Sequence, residues 1–309
     1  MNLTLQVVLT GLAAGSVYGL LAIGHTLVYR LTGIVHFALG DLVGLGVFIA
    51  LFVTAGRGPV TASSASSWRF AAALVVALVA TAALGSGSYF AVVHHFLARG
   101  STLGWVVATV AIAFAIENVL AVAFPGSAYV FPDPIPFHRV GTEGIVSVGG
   151  ATFQVRSLFV IALGLVLVAA VTYVIQRTRF GRGLQAIAED ADGARVVGVP
   201  HDLYVGLAFG LVGALAVVIA VAAAPSGPFA VTTGALLGVK GLVAAVVVGF
   251  GAPARAFAAG LVLGVVESAI ASGELFAHGI GPSYREVLPI GFALLLLAYR
   301  TPVRGQEVE

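Results

Sequence analysis

Six ionisable side chains lie inside long apolar stretches of this sequence, where they are the residues best placed to do chemistry. They are His25, His36, Asp41, Glu117, Lys240 and Glu267. A charged side chain at the centre of a bilayer costs at least about 2.5–3.5 kcal/mol, so such a residue normally faces the interior of a helix bundle or water. We therefore expect these residues to contact a passing ligand or to connect neighbouring helices.

Asp41 follows a glycine in the segment Phe37–Gly44, a pattern that can end one helix and start another. We predict that Gly40 and Asp41 break the second apolar run, with Asp41 as the N-cap of the new helix. A half-helix that opens into the bundle points its amide groups at an anionic ligand. The alternative is a cap without any role in binding.

Glu117 and Asn118 are adjacent in the middle of another apolar run, where they can hydrogen-bond between helices or contact a ligand. With His36, Gly40 and Asp41, they are the residues that we predict to line the path of a solute through the bundle. Lys240, the only lysine, lies near the start of its run, and Glu267 lies near the end of another. The sequence identifies no partner for either.

Composition defines the class of protein. Of the 309 residues, 60% are hydrophobic and 9% charged, and the mean hydropathy is +1.08, which excludes an ordinary soluble domain. A spanning helix needs about 20 apolar residues. The candidates are Leu5–Tyr29, Ile34–Thr54, Phe70–Val93, Trp105–Phe124, Leu158–Ile175, Leu203–Ala224, Leu236–Phe250, Phe257–Ala271 and Val287–Tyr299. We predict an all-α, polytopic membrane protein, one domain over residues 1–309, with eight or nine transmembrane helices and at least one broken helix.

Arginine positions predict the orientation. If the polar block Arg177–Pro200 is cytoplasmic, nine arginines lie inside and five outside, as the positive-inside rule favours. The inside set is Arg30, Arg99, Arg177, Arg179, Arg182, Arg195, Arg255, Arg300 and Arg304, and the outside set is Arg57, Arg69, Arg139, Arg156 and Arg285. This places the N-terminus outside. We expect no removable signal peptide, and the chain has no cysteine for disulfides or thiolate metal sites.

Residues 125–157 form the longest predicted external loop. Three prolines between Pro132 and Pro136 exclude a helix there. The two β-prone runs that follow meet at Gly149-Gly150, which suits a tight hairpin turn. We expect this loop to be a structural cap on the side from which a binding protein would approach.

The polar block within residues 177–201 has the pattern of a short amphipathic helix. Leu184, Ile187, Ala188, Ala191 and Ala194 share one face, whose small residues would let a partner surface approach closely. Asp192 and Arg195 are spaced to pair at i, i+3, and Pro200 stops the helix. Docking onto a partner and a solvated connecting loop are both open at this point.

Glycines four residues apart recur inside the apolar runs, as in Gly11, Gly15 and Gly19 or Gly40 and Gly44. The pattern recurs at Gly206 and Gly210, Gly234 and Gly238, and Gly260 and Gly264. Small residues at this spacing allow helix backbones to pack closely in lipid. We therefore expect a tight bundle, with no function implied.

Four segments in order along the chain resemble the permeases of branched-chain amino acid ABC importers, the LivH-like family. They are Gly11–Tyr29, Ile34–Gly46, the polar block with Gly181–Asp190 and Ala194–Val199, and Gly238–Gly251. The family commonly has Asn, His and Glu where this chain has His36, Leu39 and Asp41. It has Ser-Ile-Pro-Gly-Ala where this chain has Ala252-Pro-Ala-Arg255. These departures leave the substrate open.

The resemblance implies that the polar block couples the permease to a cytoplasmic ATPase. The coupling residues implied are Gly181, Arg182, Gly183, Leu184, Ala188, Glu189, Asp190, Ala194, Arg195 and Gly198. It also implies two ATPase subunits, a second homologous permease subunit in a hetero- or homodimer, and an extracytoplasmic solute-binding protein, all at a bacterial inner membrane. The substrate would be a branched-chain or related amino acid, or an amide such as urea.

We expect no catalytic residue, metal or cofactor in this chain and no nucleic-acid partner, with ATP bound by the partner ATPases. The sequence lacks a Gly-xxxx-Gly-Lys-Ser/Thr loop, a His-Glu-xx-His motif and a Gly-x-Ser-x-Gly elbow. An intramembrane enzyme would need a convergent site, for which His94-His95 at the end of a run gives little support. The closer alternative is a stand-alone secondary transporter or channel driven by an ion gradient.

Overall fold

The computed structural model describes residues 3–55, 67–98, 104–126, 128–131, 145–148, 151–272 and Gly291. The longer helices are α1 (Leu3–Thr32), α2 (Leu39–Ala55), α3 (Ser67–Ser88), α5 (Gly104–Ala123), α6 (Val155–Arg177), α7 (Arg179–Glu189), α9 (His201–Ala223), α10 (Thr233–Val247) and α11 (Pro253–Ala271). The shorter ones are α4 (His94–Ala98) and α8 (Ala191–Val196). A π-helical turn (Tyr89–Val93) joins α3 to α4, and one 3-10 turn (Ala224–Ser226) follows α9.

The predicted all-α membrane architecture is confirmed. Six described helices are long and apolar enough to cross a bilayer: Leu5–Thr32, Trp68–Phe96, Gly104–Ala123, Val155–Arg177, His201–Ala222 and Pro253–Ala271. Two shorter apolar helices, Leu39–Thr54 and Thr233–Val247, accompany them. These eight correspond to the first eight predicted runs, while Val287–Tyr299 lies outside the described residues.

The long helix α1 is the centre of the bundle, and it packs most extensively against α11. Glycines on both helices make this contact close. A Cβ atom added at Gly15 would come within 2.7 Å of the Gly260 carbonyl oxygen, and one at Gly264 would overlap the backbone of Gly11 and Gly15. The glycine spacing predicted close backbone packing, and these two helices pack in that way.

A second close crossing joins the two short helices. Gly40 of α2 lies directly against Gly234 and Gly238 of α10, so that a side chain at any of the three would meet backbone atoms. Gly44, one turn along α2, has ordinary van der Waals room, with its nearest neighbour at 3.7 Å. The two short helices thus meet near their N-terminal ends.

The predicted helix break at Gly40 and Asp41 is wrong in position. Helix α2 begins at Leu39, and the Ala38 carbonyl oxygen accepts its first helical hydrogen bond, from Leu42 N at 3.0 Å. Ala38 is therefore the N-cap, and Asp41 lies within the first turn. The irregular backbone is the preceding segment, residues 33–38. His36 and Ala38 are buried there, as non-helical backbone at membrane depth requires.

A two-stranded antiparallel sheet precedes α6. Strand β1 (Ile145–Val148) pairs with β2 (Ala151–Gln154), with Val148 opposite Ala151. Strand β2 also contacts α1. The pair lies at the end of the bundle where α1 and α6 begin.

Large apolar side chains cover the outside of the bundle. Val75 and Val79 on α3, Phe114 and Val122 on α5, and Val166 on α6 are all exposed. Monomeric soluble proteins rarely expose so much contiguous apolar surface, whereas a lipid-facing surface requires it. This exposure agrees with the membrane assignment.

Candidate functional site

Two adjoining cavities lie between α1, α6, α10, α11 and the hairpin. The first measures about 500 Å³ and the second about 340 Å³. They share the lining residues Thr10, Ala14, Tyr18 and Leu237. Both volumes fall in the range typical of small-molecule sites.

The larger cavity opens at the hairpin end of the bundle. Polar side chains from three elements line it: Gln6 of α1, Gln154 of β2 and Arg156 at the start of α6. Arg156 is buried. Because α6 has 23 residues, its first turn is about 35 Å from the polar block that follows its last. The cavity and the polar block therefore lie at opposite ends of the bundle.

A buried ion pair lies on the wall of the smaller cavity. Lys240 Nζ of α10 is 2.7 Å from Glu267 Oε1 of α11, and each side chain is only 11% exposed. The ammonium also donates to the Tyr18 hydroxyl at 3.3 Å and lies 5.2 Å from the centre of that ring. One charge of each sign is thus fixed where α1, α10 and α11 meet.

The predicted path residues in α2 and in the segment before it lie apart from these cavities. His36, Gly40 and Asp41 are buried and line neither of the two. The His36 ring packs against Phe209 at 5.3 Å between ring centres, and within the described part of the chain neither of its ring nitrogens has a hydrogen-bond partner. Nearby, His25 Nε2 is 3.2 Å from the Gly238 carbonyl oxygen.

Glu117 and Asn118 lie on α5, at the edge of the bundle. Asn118 is exposed, and its side-chain amide donates to the Phe114 carbonyl oxygen within its own helix. Glu117 is partly exposed and close enough to Asp41 for the two carboxylates to interact. Glu117 is thus brought near Asp41, and neither Glu117 nor Asn118 lines the two cavities.

Sequence reasoning named Lys240 and Glu267 but not their pairing, and it missed the contribution of Tyr18 and Arg156. The sequence does indicate that both residues are unusual, because the single lysine and one of the few glutamates fall inside apolar runs. Their 27-residue separation gives no indication of contact, since it depends on how α10 and α11 pack. Within the described residues, no group of three or more His, Cys, Asp or Glu side chains is placed to hold a metal ion.

The polar block folds into two short helices that continue from α6. Thr178 is both the last cap of α6 and the N-cap of α7, with its hydroxyl accepting from Gly181 N at 3.0 Å. Asp190 ends α7 and caps α8, and its carboxylate accepts from Asp192 N and Gly193 N. The predicted pair forms, with Arg195 Nη1 at 2.9 Å from Asp192 Oδ1.

The apolar face of this segment packs against the chain's own bundle. Leu184, Ile187 and Ala194 are buried in the main core, and Ala188 and Ala191 pack against it. Side chains cannot fit at Gly181, which lies on the backbone of α6, or at Gly183, which lies under the Tyr204 ring. The expectation that the small face receives a partner is therefore wrong, since the chain's own helices cover it.

The outward side of the segment is polar with an apolar patch. Val196 and Val197 are 87% and 77% exposed, which is unusual for large aliphatic residues outside the lipid-facing helices. The charged residues Arg182, Glu189, Asp190 and Arg195 of the same segment are also exposed, and so is Gly198. This surface is available for contact with another protein.

Directly after the polar block, Asp202 connects α9 to the π-helical turn. Its Oδ1 accepts from the buried Tyr89 hydroxyl at 2.9 Å, and its Oδ2 is 3.5 Å from His94 Nε2. His201 Nδ1 lies 3.1 Å from the same carboxylate. π-Helical turns frequently occur at functional positions. The network fixes the end of the polar block to the π-helical turn and α4.

A family model described as the permease component of branched-chain amino acid transport systems matches residues 7–298. The chain is 29% identical over 308 residues to the high-affinity branched-chain amino acid transport system permease protein BraD of Pseudomonas aeruginosa, covering 99% of this chain and 97% of BraD. The LivH permease proteins of Salmonella typhimurium and Escherichia coli K12 are 28% and 26% identical, each over 95% of this chain and 92% of LivH.

One solved structure also aligns with the chain. PsaBC from Streptococcus pneumoniae in complex with Fab matches over 95% of this chain and 91% of that chain, with a TM-score of 0.47 and 14% identity. At that level the alignment does not establish a shared fold.

Proposed function

Because the chain belongs to the family of permease components of branched-chain amino acid transport systems, we propose that it is the membrane-spanning permease subunit of an ABC importer. It forms the translocation pathway for branched-chain or related amino acids, with amides such as urea as the other substrate class. The observation that carries the proposal is the family match, which runs through nearly the whole chain, residues 7–298.

The pathway begins at the larger cavity. This cavity lies at the end of the bundle opposite the polar block, and its lining combines polar groups with small and aliphatic residues. Such a mixture suits a solute that has both a polar head and an apolar side chain. We assign Asp41, His36, Gly40, Glu117 and Asn118 to the walls of the path in other conformations of the transport cycle.

The segment Gly181–Gly198 is the coupling surface for a cytoplasmic ATPase. Its contact residues are those on the outward side, above all Glu189, Asp190, Arg195 and the Val196-Val197 patch. Gly181, Gly183, Leu184, Ala188 and Ala194 hold the segment on the bundle. Polar groups at an interface fix its register, while a buried apolar centre supplies affinity.

The complete complex contains two ATPase subunits, a second homologous permease subunit and an extracytoplasmic solute-binding protein. The chain crosses a bacterial inner membrane eight or nine times, with its N-terminus and the hairpin outside and residues 177–201 in the cytoplasm. It is not itself an enzyme, and ATP is bound by the partner ATPases.

Reconstitution tests this function. Proteoliposomes that contain the permeases and ATPases should import leucine, isoleucine or valine when supplied with the binding protein and internal ATP. Uptake should stop when the ATPase subunits are omitted. Uptake by this polypeptide alone, driven by a proton or sodium gradient, would instead support the secondary transporter, which the family match does not favour.

A further inference from the structure

The Lys240–Glu267 pair combines burial, a cavity and two opposite charges in one place. Burying two charges is costly even when they pair, so replacing such a pair by uncharged residues often leaves stability unchanged or raises it. The pair does connect α10 to α11. However, α11 is already held by the glycine crossing with α1, so the fold has a contact there that needs no charge.

The surroundings of the pair are those of a binding site rather than of a sealed helix contact. The cavity of about 340 Å³ that they line has aliphatic walls from Ala14, Leu236 and Leu237. It adjoins the larger cavity at the outer end through shared residues on α1. A small solute entering from that side would meet the pair next.

We propose that Lys240 and Glu267, with Tyr18, form a binding site for the zwitterionic head of an amino acid within the translocation path. This rests on the proposed function and names the chemistry of one site in it. The ligand carboxylate binds Lys240 Nζ and its ammonium binds Glu267, so the two side chains separate and each gains a new opposite charge. The aliphatic walls hold the ligand side chain.

Charge matching defines which solutes this site accepts. A zwitterion supplies a new partner for each of the two separated side chains, so no charge is left buried and unpaired. A neutral amide, a carboxylic acid or an amine satisfies at most one half. The site therefore favours α-amino acids over urea and over singly charged analogues of the same size.

A neutral double variant tests the site without leaving an unpaired charge. We expect Lys240→Met/Glu267→Gln to assemble with its partners and to melt near the wild-type temperature in detergent. Leucine uptake by the complete reconstituted complex at subsaturating leucine should fall by at least roughly tenfold, because two charge-assisted contacts are lost. Wild-type uptake by this variant would overturn the proposal.

The charge-reversed variant Lys240→Glu/Glu267→Lys separates binding from helix pairing. A purely structural pair would be restored by the reversal, and uptake would return to the wild-type rate, which would contradict a ligand role. The proposed site instead predicts that the variant melts near the wild-type temperature while uptake stays roughly tenfold lower, because the bound zwitterion would have to turn around.

Cysteine protection gives a measurement that is independent of both variants. In the assembled complex in nanodiscs, Ala271→Cys places one thiol in the smaller cavity of an otherwise cysteine-free chain. Leucine should slow its alkylation by a small maleimide, whereas 4-methylpentanoate and 3-methylbutylamine, which each lack one charge, should not. Val130→Cys, exposed and outside both cavities, is the matched control.

Equal protection by all three compounds, or by none, would overturn the site even if the double variants fail to assemble. The proposed function fails separately, if the wild-type complex does not import leucine, isoleucine or valine. Import with no protection at Ala271→Cys would leave the permease assignment in place and remove only the binding site.

Discussion

Gly40 and Gly44 lie one turn apart on α2, yet only Gly40 has no room for a side chain. Its Cα–H side faces the backbone of Gly234 and Gly238, which cannot move away without displacing α10. Backbone is the least adaptable neighbour that a new methyl group can meet. Whether a side chain can replace a glycine therefore depends on what that glycine faces, and the Gly-xxx-Gly motif alone does not show this.

We expect Gly40→Ala to destabilise the protein by about 1–3 kcal/mol, because the added methyl group separates α2 from α10. Gly44→Ala is the matched control, since its Cβ would be 3.7 Å or more from its neighbours. The melting temperatures of the two variants, measured in the same detergent, give the comparison. Equal melting temperatures would show that the α2–α10 crossing is looser than the structure indicates.

At the same scale, the Tyr89–Asp202 hydrogen bond joins a buried hydroxyl to a half-exposed carboxylate. We expect Tyr89→Phe to cost about 1 kcal/mol, and the cost to disappear when Asp202 is already alanine, which has no acceptor for the hydroxyl. A double-mutant cycle in thermal or denaturant unfolding measures this coupling. Tyr173→Phe, on an exposed face of α6, serves as the control and should change nothing.

Single residues were predicted from the sequence with uneven success. The Asp192–Arg195 pair was correct because i, i+3 geometry follows from the helix alone. The N-cap was misplaced, because Gly40 was interpreted as a helix breaker when it is a helix contact. The Lys240–Glu267 pair depends on tertiary packing, which no local pattern specifies.

At the scale of elements, short connections join the proposed coupling segment, residues 177–201, to the membrane helices. A single non-helical residue, Thr178, separates α6 from α7, and only four residues separate α8 from α9. The buried face of the segment contacts α1 and α9, and the Asp202 network attaches its end to the π-helical turn and α4. A displacement of this segment is therefore transmitted to several membrane helices together.

We expect Val196→Ser/Val197→Ser to weaken ATPase binding by roughly tenfold, because an exposed apolar patch is the natural centre of that interface. Folding should be unaffected, since neither side chain packs in the core. Co-purification and ATPase stimulation by the liganded binding protein measure the effect. Val130→Ser makes the same kind of substitution outside the proposed coupling surface, and it should leave co-purification and ATPase stimulation at the wild-type level.

Charge reversal at Glu189 tests the polar part of the same surface. We expect Glu189→Arg to reduce stimulated ATP hydrolysis several-fold, because it replaces one side of a charge contact with a like charge. Ala188→Trp should act differently, through detachment of the segment from the bundle, and should lower the melting temperature as well. If both variants assemble normally and keep full stimulated hydrolysis and uptake, the segment is only a connecting loop.

The element-level predictions succeeded where a pattern is long. Eight apolar runs became eight helices, and two β-prone runs around Gly149-Gly150 are the strands that pair. The amphipathic polar block did become helical, but its apolar face was assigned to the wrong partner. Periodicity identifies the buried face of a helix, and it does not tell whether the same chain or another one covers it.

For the whole molecule, the hairpin and the coupling segment mark opposite ends, which makes the orientation testable. We expect Gln154→Cys to react with a membrane-impermeant maleimide added outside intact cells, and Asp192→Cys to react only after the cells are opened. The cysteine-free sequence provides the background. The reverse pattern would place residues 177–201 outside and contradict the coupling assignment.

The buried ion pair has an electrical consequence for the membrane in which the protein works. Lys240 and Glu267 together carry no net charge, and neither does an amino acid zwitterion bound between them. A membrane potential of 100 mV does about 2.3 kcal/mol of work on each elementary charge that crosses it. At the proposed site, passage of a zwitterion moves no net charge, so the membrane voltage neither drives nor opposes that step.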